Sequence, residues 1–125
     1  MTFSERGMAP EDFLPKFYAV ARGHVDSVGV NTYAAGPDLV TDLVERTRKM
    51  LERVGDGRRP IRVSETGWAT EGPGPHKLNI GPRAQGPLVK STFERFARMR
   101  RRLGVRSVML YAWRDSVRAL ERPGA

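Results

Sequence analysis

The chain has 125 residues, a formal charge of +8 and no cysteine. Its length suits one domain with a modest core, and its 39% hydrophobic content, spread along the chain, excludes a disordered polymer. The absence of cysteine excludes a disulfide framework, a zinc–cysteine site and a thiol nucleophile, and leaves the compartment open. Residues 1–10 carry no apolar core of a signal peptide. No apolar run approaches the ~20 residues that cross a bilayer, so no membrane partner is expected. The positive charge raises nucleic acid as a partner. Yet 17 of the 22 basic residues lie outside the dense cluster at 95–102 and interleave with acids. Solvated helix surfaces are the plainer reading, and nucleic acid is not expected as the main partner.

In chain order, residues 10–22 read as a helix with Phe13, Leu14, Phe17, Tyr18 and Ala21 on one side. Pro10 suits its first turn, and Pro15 is a point where it restarts. Residues 25–31 are short and β-branched and read as a strand. Asp38 then caps a helix to about Val54, with Leu39, Val40, Leu43, Val44, Thr47, Met50, Leu51 and Val54 in a 3.6-residue stripe. Gly55-Asp56-Gly57 stops it. A second strand follows at 60–65, in which the two-residue period puts Ile61, Val63 and Glu65 on one face. Residues 67–86 are rich in Gly and Pro and read as a long loop. Pro87 opens a helix to Leu103 with Leu88, Thr92, Phe93, Phe96, Met99 and Leu103 facing inward, and Gly104 ends it. The third strand is 105–113.

The strand ends lie about 30 to 50 residues apart, the spacing of βα units, so the strands should be parallel, with helices on both sides of the sheet or outside a barrel. The expected fold class is α/β, in a single domain over 1–125. In such folds sites form at the C-terminal ends of strands. The segment Val63-Ser64-Glu65-Thr66-Gly67-Trp68 places a carboxylate there, followed by a Gly that permits a sharp turn and a Trp with a flat apolar face. A lone glutamate at a strand end is more often a loop or helix cap. Here, however, the first strand ends in Asn31 and Tyr33, and the third in Tyr111, Trp113 and Asp115. Carbohydrate sites use this mixture, with aromatic rings against sugar C–H faces and carboxylates and amides on hydroxyls.

Three pieces resemble clan A glycoside hydrolases, the large (β/α)₈-barrel group that includes cellulase-like and xylosidase-like enzymes. They are Asp26-Ser27-Val28-Gly29-Val30-Asn31-Thr32-Tyr33, Pro60-Ile61-Arg62-Val63-Ser64-Glu65-Thr66-Gly67-Trp68-Ala69 and Val108-Met109-Leu110-Tyr111-Ala112-Trp113-Arg114-Asp115. The resemblance covers most of 10–116 and is most specific in the second piece. It implies a partial TIM barrel, about three parallel βα units corresponding to strands six to eight. It implies hydrolysis of O-glycosyl bonds by a retaining mechanism, with Glu65 as the nucleophile that forms a glycosyl-enzyme. Trp113 matches the tryptophan that floors the subsite of the cleaved sugar. Tyr33 matches an aromatic near the nucleophile, where many members use a tyrosine hydroxyl to bond the carboxylate. Asn31, Trp68, Tyr111 and Asp115 complete the expected carbohydrate-binding set. No cofactor is implied.

Two departures follow. Asn31 stands where the family often has His, and an amide does not titrate. The family's acid/base glutamate, typically preceded by Asn at the end of strand four, has no counterpart, because no Asn-Glu pair occurs in the sequence. Glu71 and Asp115 are the nearest substitutes. A whole barrel takes about 250 residues. The chain therefore reads as a truncated form or a catalytically inactive sugar-binding fragment, partnered by a complementary barrel half or by itself. His24 and His76 are too far apart for metal-ligand spacing. Gly72-Pro73-Gly74-Pro75 is a loop. Arg98, Arg100, Arg101 and Arg102 are a solvated helix end, favoured by the macrodipole. Gln85 is a helix-capping residue.

Overall fold

The structure, a computed structural model, describes residues 1–3, 8–71 and 78–112. Three helices and three strands alternate: α1 (Pro10–Ala21), β1 (Val28–Asn31), α2 (Pro37–Arg53), β2 (Ile61–Thr66), α3 (Pro82–Leu103) and β3 (Val105–Leu110). The strands form one parallel sheet in the order β1-β2-β3. The α/β class, the order of elements and the parallel direction agree with the sequence reading. Among the described residues no helix is long and apolar enough to cross a membrane.

The strand period places two apolar rows on the helix-covered face. Val28, Ile61 and Val105 are in register, as are Val30, Val63 and Val108. Val30, Ile61 and Val63 are fully buried, beneath Val40, Val44 and Leu51 of α2 and Phe96 and Leu103 of α3 in one cluster. The opposite face is polar. Gly29, Arg62 and Ser107 are register partners there. Arg62 donates from Nε to Ser27 Oγ at 3.2 Å and from Nη1 to Ser107 Oγ at 3.5 Å. Beside them Ser64 Oγ donates to Asn31 Oδ1 at 2.8 Å. At the outer edge of β1, Thr2 makes a parallel bridge to Asn31, and the Asn31 N–H donates to the Met1 carbonyl at 2.8 Å.

Several helix expectations need correction. α3 begins at Pro82 rather than Pro87, which lies inside it. Pro82 suits the first turn, where no N–H is needed. Pro87, five residues on, forgoes only the bond to the i−4 carbonyl, that of Arg83. α1 likewise runs through Pro15 without restarting. α2 is capped at Gly36 with no side-chain cap, so Asp38 lies in the first turn, where its carboxylate pairs with Arg95 at 2.7 Å. Phe13, Phe17, Leu39 and Phe93 are exposed rather than inward.

A buried arginine bolts the end of the sheet opposite the strand C-termini. Arg48 on α2 donates from Nη2 to the carbonyls of Leu103 and Arg59, both at 2.8 Å, and from Nη1 to that of Gly57. It joins the end of α3 to the loop before β2. Gly104 caps α3 in the left-handed region with φ 63°. A Cβ at Gly104 would collide with the Arg48 guanidinium, so its absence serves both the turn and the packing.

Candidate functional site

The C-terminal ends of the strands are held together by a short ladder. The Thr32 N–H donates to the Glu65 carbonyl, and the Tyr111 N–H to the Thr66 carbonyl, both at 2.8 Å. Thr66 Oγ1 donates to the Thr32 carbonyl at 2.9 Å. These bonds bring Asn31 and Tyr33, Glu65, and Tyr111 to one end of the sheet.

Glu65 does not share a face with Ile61 and Val63, as strict alternation required. The register slips between Val63 and Thr66 on the β3 side and between Val30 and Asn31 on the β1 side. Thr66, buried, continues the helix-facing row, and Glu65 is half-buried. A bulge of this kind re-aims a side chain at the end of a strand, and here it frees the carboxylate from the helix layer. Tyr33, two residues beyond β1, donates its hydroxyl to Glu65 Oε2 at 2.6 Å. Burial raises the Tyr33 phenol above its ordinary range, and the bond to Glu65 raises it further. The phenol therefore stays protonated at neutral pH and acts as a donor. Among the described residues Oε1 of Glu65 has no hydrogen-bond partner. Among the described residues the pair thus presents one satisfied carboxylate oxygen and one without a partner.

Asn31 is oriented by Ser64 through the 2.8 Å bond to its Oδ1. Ser64 was not singled out in the sequence. The signal for it was its position, since it precedes Glu65 on a strand whose partner ends in Asn31. Tyr111 is 63% exposed and close enough to Tyr33 to act on it electrostatically.

Trp68 requires a correction. Expected as an open platform, it is 4% exposed. Its indole N–H donates to the Ala34 carbonyl at 2.8 Å, and its own carbonyl accepts from Gln85 Nε2 at 2.6 Å. Trp68 therefore anchors the loop after β2 to the loop after β1, and Gln85 holds it there rather than capping a helix. Gly67 has the role expected of a tight turn. A Cβ there would overlap the Tyr111 carbonyl, so the absence of a side chain lets the chain pass beside β3. Glu71 is exposed beyond the Ala69–Asn79 bridge. Trp113, Asp115, His76 and Gly72-Pro73-Gly74-Pro75 lie outside the described residues.

The site thus contains a half-buried carboxylate, a half-buried phenol donor, an oriented amide and an exposed aromatic. Such an arrangement can bond hydroxyl groups and supply a nucleophilic oxygen. Comparison with family models, curated proteins and solved structures finds no match for this chain.

Proposed function

We propose that the chain is a segment of a retaining clan A (β/α)₈-barrel glycoside hydrolase, in which β1, β2 and β3 are barrel strands six, seven and eight and Glu65 is the nucleophile. The observation that carries this reading is the 2.6 Å hydrogen bond from the Tyr33 hydroxyl to Glu65 Oε2 at the C-terminal edge of a parallel sheet. A capping glutamate bonds backbone N–H groups. Glu65 instead bonds a phenol, and its other oxygen has no partner among the described residues.

In the proposed step the free Glu65 oxygen attacks the anomeric carbon. The C–O bond to the leaving group breaks, and its electron pair departs with the leaving oxygen. Tyr33 holds the other carboxylate oxygen, and Asn31 and Tyr111 contact the sugar. Retaining hydrolysis also needs an acid/base carboxyl about 5–5.5 Å from the nucleophile. That group is assigned outside this chain, so turnover of unactivated glycosides is not expected from it alone.

The test uses substrates whose departure needs no acid. A panel of 2,4-dinitrophenyl 2-deoxy-2-fluoroglycosides is incubated with the protein, and the intact mass is measured. The expected result is a mass gain of one fluoroglycosyl group, mapped to Glu65 and absent in Glu65→Gln. Sugar binding without labelling in either form would replace this reading with that of an inactive carbohydrate-binding fragment. Labelling that survives in Glu65→Gln would remove Glu65 from its role.

A further inference from the structure

The two edges of the sheet differ. The β1 edge carries the bridge to Thr2, whereas no strand among the described residues pairs with the outer edge of β3. Beside β3, helix α3 leaves an open groove of about 220 Å³, lined by Phe93, Phe96, Ala97, Val105 and Val108. Phe93 stands 38% exposed on its flank. Arg100 and Arg106 form the rim, and with Arg101 they also surround a second hollow against Gly104 and Val105. None of their three guanidiniums has an ion pair or hydrogen bond among the described residues. Arg95 and Arg102, on the same helix, pair with Asp38 and Glu45.

We propose that this groove docks an amphipathic helix of a second, different polypeptide, whose apolar side chains seat against Phe93 and Val108 and whose flanking Asp or Glu residues pair with Arg100 and Arg106. The apolar floor is a surface on which the apolar face of an amphipathic helix is buried. The unpaired guanidiniums select carboxylates, which they bind with two parallel hydrogen bonds. A second copy of this chain fits poorly, because a symmetric contact sets like-charged rims against each other, and each copy carries +8. This surface stands independently of the role of Glu65.

Two fluorescent helical peptides with the same leucine stripe test it, one flanked by glutamates and one by lysines. The full chain should bind the acidic peptide at least about tenfold more tightly, an advantage that shrinks with added salt. Phe93→Glu should weaken that binding about tenfold or more. Arg100→Glu with Arg106→Glu should reverse the preference towards the basic peptide. All the altered positions are exposed, and circular dichroism checks that the fold is kept. Equal affinity for the two peptides, no binding of either, or no reversal in the charge-swapped variant would overturn the proposal. So would a dimer of the chain alone that Phe93→Glu dissociates.

Discussion

Ionising Tyr33 would set a phenolate against the Glu65 carboxylate, so the proton on that oxygen is held by both burial and its partner. Tyr18 repeats the pattern at the other end of the sheet. It is buried, donates to Asp56 Oδ2 at 2.9 Å, and is pushed up to about 12, first by burial and then by that bond. Asp56 in turn is held below its usual range by the Arg59 guanidinium 2.7 Å away. Both phenols ionise at higher pH in the folded chain than the ~10 of an unfolded one. Their contribution to stability is therefore complete below about pH 10 and is lost as pH rises through the folded values, about 12 for Tyr18 and higher still for Tyr33. In a spectrophotometric titration, two of the three tyrosines should ionise late, and Tyr18→Phe and Tyr33→Phe should each delete one late step. Early ionisation of both would show that these hydroxyl bonds are not kept in solution. Tyr33→Phe should also slow the labelling of Glu65 by roughly tenfold, the worth of one hydrogen bond to a charged group.

At the scale of elements, Arg48 ties α2 to the end of α3 and to the loop before β2. It is 7% exposed, and burial lowers its pKa. The nearby Glu52 and Asp56 carboxylates oppose that effect, and Leu103, Arg59 and Gly57 supply carbonyl oxygens to its guanidinium. Arg48→Met should destabilise the chain by about 2–4 kcal/mol, since it strips buried carbonyls of their donors. Denaturant unfolding should show a lower midpoint at constant slope; an unchanged midpoint would mean that water satisfies those carbonyls equally well. None of this was legible in the sequence, where Arg48 lies one residue off the apolar stripe of α2. The strands and the parallel order were legible, because Val28, Val30, Ile61, Val63 and Val105 alternate with Gly29, Arg62 and polar neighbours. The bulge beside Glu65 was not, because a shift in pairing depends on two strands at once. The start of α3 was missed for a local reason, two prolines five residues apart, either of which suits a first turn. Tyr33 was placed near Glu65 by resemblance alone. Trp68 was misplaced because an indole serves a sugar platform and a buried anchor equally well, and only Ala34 and Gln85 decide between them.

For the whole molecule, the governing fact is a sheet with one covered face, one polar face and, among the described residues, an outer edge of β3 without a partner. Every strand pairing links residues more than 30 positions apart, so chain closure precedes the reward of each contact, and refolding should be slow for the chain's size. The exposed end of β3 has a further consequence, for solubility. Met109, Leu110 and Tyr111 are 50%, 39% and 63% exposed, on a segment without charge from Ser107 to Ala112. An uncharged, apolar edge strand is a template for intermolecular stacking. What holds copies apart is long-range repulsion from the +8 charge, which reaches ~10 Å in 0.1 M salt but only ~3 Å in 1 M. Light scattering from the purified protein should therefore rise with ionic strength, and Met109→Lys should suppress the rise. Scattering that is flat with salt would show that the edge is not what limits solubility. The open strand makes this chain a protein whose dispersion depends on its counterions.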